Sequence, residues 1–326
     1  MKTLRPRNAG ESTTARIGVA RSRNDVHTPP MQAQRLTRRS FLKTQAAATA
    51  IAAAGIHSAT SAEAPPLYSV TKGRIRQSVV PWCFNPMKPR EVVELAARLK
   101  LPSVELISPD LWPLLKEKGM TCAIASSHGF SKGFAHTEEH EECLASLRKN
   151  IDLASAAGVP SLITFSGFRR GLSTKAGKRN MIDGLKKIAA HAEEKKVTVC
   201  LEMLNSRVDV SMKGHPDYFC DDIDLSVEIC QAVSSERVKV LFDIYHVQIM
   251  HGDIITRLKQ HQKWIGHYHT AGVPGRNEID DTQEIKYAPI MKAILATGYQ
   301  GFVGQEFIPL RDKAASLAEG VRICDV

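Results

Sequence analysis

The sequence predicts an α/β chain folded as a (β/α)8 barrel, and three observations predict it. After Pro66 short apolar runs alternate with helical stretches, and the count reaches eight strand–helix units. Eight units suit a closed barrel, whereas a doubly wound sheet usually stops at five or six strands. Finally, Glu202, Asp243, His269 and Glu306 stand near the ends of four successive runs, 41, 26 and 37 residues apart. No helix or hairpin unites residues so spaced, but a closed fold returns every strand end to one rim.

The units follow in order. Gln77 to Phe84 reads as the first strand, and the helix after it places Val92, Val93, Leu95, Ala96 and Leu99 on one face. The second strand is 103–107, followed by a short helix through Leu114 and Leu115. The third is 121–126, and the helix over 138–157 is closed by Gly158 as a C-cap. The fourth strand is 161–165, with a helix over 180–194 behind it. The remaining strands are 197–204, 238–244, 265–269 and 301–306, with helices between and after them.

Of 326 residues, 43% are hydrophobic, enough for a large core. The formal charge of +10 suggests a polyanion partner until its distribution is read. Residues 1–64 hold ten Lys/Arg against three Asp/Glu, and the remainder is close to neutral, so nucleic acid is not expected. The same stretch carries Thr37-Arg38-Arg39-Ser40-Phe41-Leu42-Lys43, an Ala-rich apolar run from Ala46 to Ile56, and Ala62-Glu63-Ala64. It resembles a bacterial twin-arginine export signal. The domain division is therefore a 1–64 extension with its signal and a barrel over 65–326. The implied partner is the twin-arginine machinery and the implied location periplasmic. The apolar run is too short for a stable span once cleaved. Seven scattered cysteines without a CxxC pair argue against a disulfide framework.

In such barrels function gathers at the carboxyl ends of the strands. Like charges converging on one rim, as the three carboxylates do, would repel unless a cation sat between them. The donor set suits Mn2+ or Mg2+ better than structural zinc, and the imidazole admits Co2+ or Zn2+. Glu202 and Glu306, on strands apart around the rim, could flank a substrate and move a proton at the carbon beside a carbonyl, through an enediolate. His246 lies three residues past Asp243, Arg276 sits in a Pro-Gly-Arg turn after the seventh strand, and His128 follows the third. All three are candidate substrate contacts. His267, two residues from His269, shares its face.

Four motifs add a resemblance covering roughly Ile75 to the C-terminus: Glu202-Met203-Leu204-Asn205-Ser206-Arg207, Asp243-Ile244-Tyr245-His246-Val247-Gln248, Gly266-His267-Tyr268-His269-Thr270-Ala271 leading into Pro274-Gly275-Arg276-Asn277-Glu278, and Gly301-Phe302-Val303-Gly304-Gln305-Glu306. The chain resembles the xylose-isomerase-like TIM barrels, most closely the hydroxypyruvate isomerases. The resemblance implies that the quartet binds the metal, that Glu202 and Glu306 also transfer protons, and that His246 and Arg276 hold substrate oxygens. It implies a hydroxypyruvate-to-tartronate-semialdehyde type of isomerisation on a small carbohydrate or hydroxy-keto acid, in a chain free to form a homo-oligomer. One position departs: hydroxypyruvate isomerases typically carry Gln where this chain has His269, as ketose 3-epimerases do. A ketose 3-epimerase or keto-polyol dehydratase is thus the alternative, and a non-catalytic periplasmic sugar-binding barrel is the alternative of another class. A phosphodiesterase or apurinic-site endonuclease would need a richer His/Asp cluster and a basic rim.

Overall fold

The computed structural model describes residues 66–326. The extension with Arg38 and Arg39 lies outside the described residues. Eight parallel strands are present: β1 (Arg76–Val79), β2 (Ser103–Val104), β3 (Thr121–Cys122), β4 (Ser161–Thr164), β5 (Thr198–Glu202), β6 (Val238–Asp243), β7 (Ile265–Thr270) and β8 (Phe302–Gln305). Six form a sheet in the order β1-β8-β7-β6-β5-β4, and β2 pairs with β3. Single backbone contacts close the ring between these two pieces. The Glu105 amide donates to the Val79 carbonyl at 3.0 Å, and Ala125 bridges to Leu162. The (β/α)8 expectation is therefore met.

Nine α-helices surround the strands among the described residues: α1 (Pro89–Arg98), α2 (Trp112–Glu117), α3 (His140–Ala157), α4 (Thr174–Lys195), α5 (Ile223–Val233), α6 (Ile244–Met250), α7 (Ile254–His261), α8 (Tyr287–Ala296) and α9 (Lys313–Cys324). Local chemistry sets their ends. The Ser173 hydroxyl accepts the Ala176 amide to start α4, and the Asp222 carboxylate accepts the Asp224 and Leu225 amides to start α5. Gly158, at φ +72°, ends α3 in the left-handed conformation that glycine adopts without a Cβ penalty.

Several boundaries differ from expectation for identifiable reasons. The first strand stops at Val79 because Pro81, which has no amide proton for a ladder, opens a 3₁₀ turn over Pro81–Phe84. The expected third strand, 121–126, keeps a ladder only over its first two residues and a lone bridge at Ala125. The helix expected over 180–194 begins at Thr174, since the Ser173 cap matters more than the weak apolar period of its first turn. Ile244 belongs to α6, because Asp243 caps that helix with its own carboxylate.

The buried apolar core holds Val199, Leu201, Val240, Phe242 and Val303 among others. Buried amides and hydroxyls pair beside it: Gln305 donates to Gln77 at 2.8 Å, and Thr270 donates to Gln305 at 2.8 Å. At the opposite end from the site, Asp325 accepts the amides of Thr71, Lys72 and Gly73 at 2.8–2.9 Å and the Tyr68 hydroxyl at 2.7 Å. This latch joins the two ends of the described chain. No helix among the described residues is long and apolar enough to cross a membrane.

Candidate active site and metal centre

Strand alternation puts Glu202, Asp243, His269 and Glu306 on the inner side at one rim. One ligand atom from each lies within 4.8 Å of the others, and all four residues are buried. His269 Nδ1 is 2.8 Å from Glu306 Oε2 and 3.5 Å from Glu202 Oε1. Asp243 is positioned by its capping role, with Oδ1 taking the Tyr245 amide at 2.8 Å and Oδ2 turned to the site. The expected quartet is thus a spatial cluster.

Arg276 enters the cluster from the turn after β7. Gly275 and Arg276 both take left-handed backbone, φ +89° and +57°, which swings the guanidinium back under the loop. It donates to Glu306 at 2.5 Å, approaches Asp243 at 3.4 Å and donates to the Met212 carbonyl at 2.7 Å. The rings of Trp82 and Tyr245 stack on it with centroids 5.4 and 5.6 Å away. His246 lies in the first turn of α6, fully buried. Its Nδ1 accepts the Asn205 amide at 3.0 Å, which leaves the proton on Nε2, 3.5 Å from Asp243 Oδ2. His128 stands farther out, its Nε2 2.8 Å from the Thr164 hydroxyl.

Burial and neighbouring charge split the carboxylates. Burial, reinforced by Glu306 and opposed by His269, pushes Glu202 up to about 7. Burial, opposed by Arg276, pushes Asp243 up to about 6. For Glu306 burial acts in the same sense, but Arg276 and His269 outweigh it and hold the group at about 2. The carboxylates are thus held unequally, with Arg276 and His269 favouring the anion of Glu306 and burial opposing that of Glu202.

Above the cluster opens a cavity of about 300 Å³. Glu202, Glu306 and Arg276 form its floor, and His128, Phe130, Phe165 and Trp82 line its walls. His215 also lines it, held at about 4 mainly by burial, with its ring 4.6 Å from that of Phe130. Sequence reading misses His215, which lies in a loop without periodic signal. It also misses Glu105, fully buried just beyond β2, whose two oxygens lie 3.0 Å from Nε2 of His267 and of His269. A lone acid in the Val104-Glu105-Leu106 run carries no mark distinguishing it from a solvated loop residue.

Within the cluster Glu202 Oε1 and His269 Nδ1 are buried without a hydrogen-bond partner. Three carboxylates, an imidazole nitrogen and such orphaned atoms fit one divalent cation held by Glu202, Asp243, His269 and Glu306. The xylose isomerase-like TIM barrel family matches residues 91–324, more than two thirds of the sequence. The chain belongs to that family. Among xylose isomerase-like relatives, the 2-oxo-tetronate isomerase of Cupriavidus necator is 37% identical over 37% of this chain and 44% of its own length. The hydroxypyruvate isomerase of Escherichia coli K12 is 23% identical over 62% of this chain and 70% of its own. The chain spans about half the length of several curated relatives that it matches. Among solved structures, a family 2 AP endonuclease from Brucella melitensis superposes with a TM-score of 0.66 at 25% identity, covering 75% of this chain and 98% of that one.

Proposed function

We propose that this xylose isomerase-like chain is a divalent-metal-dependent isomerase of small sugars or keto acids, of the hydroxypyruvate isomerase type. The observation carrying the reading is the convergence of Glu202, Asp243, His269 and Glu306 on one buried donor set, with Glu202 and Glu306 at the cavity floor. The names of the curated relatives, both isomerases of short hydroxy-keto acids, support it. Bound by the quartet, Mn2+ or Mg2+ supplies Lewis-acid polarisation of the carbonyl and offsets the negative charge that develops on its oxygen.

The chain's own residues do the rest. One glutamate removes the proton from the hydroxyl-bearing carbon beside the carbonyl, and a proton returned to the former carbonyl carbon of the enediolate, with the hydroxyl proton passing to the former carbonyl oxygen, completes the aldose–ketose shift. His246 offers its unpartnered Nε2 proton to a substrate oxygen. Arg276, locked on Glu306 and Asp243, keeps both carboxylates aimed at the same point and presents its remaining edge to the cavity. Phe130, Phe165 and Trp82 shield the reacting carbons from water.

A second reading, inversion at the carbon beside a ketose carbonyl, is favoured by His269, since the same two glutamates could act from opposite faces. Export along the twin-arginine route belongs to the proposal on the strength of the Arg38–Arg39 motif, and loss of periplasmic delivery in an Arg38→Lys, Arg39→Lys variant tests it. For the activity, the purified chain with Mn2+ in deuterium oxide should exchange the hydrogen beside the carbonyl of hydroxypyruvate or a ketose. No exchange in any metal-loaded sample would sink the isomerase reading.

A further inference from the structure

We propose that Glu105, braced by His267, is a positioning residue that fixes the tautomer and aim of His269 and so sets how tightly the barrel holds its metal. The inference rests on the metal-centre reading above and concerns residues outside the quartet. Glu105 follows β2, separated from β7 by β1 and β8 in the ring, yet its carboxylate reaches through the interior to two imidazoles. One oxygen lies 3.0 Å from His269 Nε2 and the other 3.0 Å from His267 Nε2. All three residues are essentially without solvent exposure.

The crossing is built into the backbone. Gly304, the residue of β8 between the carboxylate and the His269 ring, has no side chain to block it. A Cβ there would stand 1.7 Å from Glu105 Oε1 and 2.9 Å from His269 Cδ2. The Glu105 amide is in turn fixed on the Val79 carbonyl, at the seam that closes the barrel.

The chemical consequence concerns the opposite edge of the His269 ring. A carboxylate at Nε2 keeps a proton on that nitrogen, so that a cation seated between Glu202 and Glu306 would displace only the proton of Nδ1 and take its lone pair. His267 occupies the second oxygen, so the carboxylate cannot rotate away. The same three residues could instead be read as a small metal site of their own. Against that, each oxygen stands 3.0 Å from a different ring nitrogen, a separation that fits a charge contact within each pair, and neither Glu105 nor His267 lines the cavity above the quartet.

The test is a titration of chelator-stripped full-length protein with Mn2+, together with the visible spectrum of the Co2+ form and melting curves of the metal-free protein. Wild type should take one ion per chain. Glu105→Gln should weaken Mn2+ binding by about 10- to 100-fold and shift the Co2+ bands. His267→Gln, which leaves the contact with His269, should weaken binding less, and serves as the deciding variant should Glu105→Gln fail to fold. Wild-type affinity and an unchanged Co2+ spectrum in whichever variant decides would overturn the assignment. So would two ions per wild-type chain with one lost in Glu105→Gln, because Glu105 would then be a ligand. A wild-type chain that takes no ion removes the metal centre itself, a failure distinguishable from the others.

Discussion

At the scale of single residues, the site is an arrangement of unequal carboxylates. Glu202 and Glu306 are chemically identical in the sequence and differ because Arg276 and His269 stand against one of them more closely than the other. Replacing either by Gln keeps the shape and removes the proton-transfer capacity proposed for it. Each single variant is expected to lose about 10²- to 10⁴-fold in turnover, checked by steady-state rates beside a circular dichroism spectrum that should not change. Retained activity in either would remove that residue from the proton path. A His246→Gln variant should instead affect substrate more than metal: raised KM, with Mn2+ affinity within about threefold of wild type, since its free proton is a donor and not a ligand.

At the scale of elements, helix α4 shows how packing overrides propensity. Gly177 and Gly184, seven residues apart, lie on one buried face of it. Ordinarily Gly→Ala inside a helix stabilises by roughly 1 kcal/mol. Here an added methyl at Gly177 would sit 2.2 Å from the Phe219 ring, and one at Gly184 2.4 Å from the Phe134 ring. Both rings are fully buried and have nowhere to go. Overpacking of this sort costs about 1–3 kcal/mol, so both variants should be destabilised, read as a lower denaturation midpoint in urea. The elements also show what a sequence can and cannot disclose. The strand–helix alternation and the four rim residues were legible because periodicity and position at a run's end are local facts. The start of α4 was obscured by a polar first turn. Glu105 and His215 were not visible because their significance exists only after distant strands meet: β2 with β7 in one case, and a loop with the cavity wall in the other.

At the scale of the whole molecule, the Asp325 latch ties stability to pH. Burial opposes ionisation there, but the Lys72, Thr71 and Gly73 amides and the Tyr68 hydroxyl outweigh it and hold the group at about 2. An acid whose folded pKa lies below its unfolded value stabilises the fold above the unfolded value, near 3.8, and loses that contribution as pH falls toward 2. After allowance for solvent screening the contribution is about 1–2 kcal/mol. Asp325→Asn should therefore lower the unfolding free energy at pH 7 by about that amount and show a shallower loss between pH 4 and 2, measured by chemical denaturation at each pH.

All seven cysteines are buried and unpaired, with thiols pushed up by burial, to about 12 at Cys122, Cys143, Cys200, Cys220 and Cys324. A thiol in that state is neither a nucleophile nor an easy target for oxidants, so the fold is silent toward both until it opens. The cysteines consequently form a built-in clock. They are spread from the segment after β1 to the end of α9, and a disulfide reagent can reach each one only when its surroundings come apart. The rate of labelling at each position would then map which parts of the barrel open together and which open first.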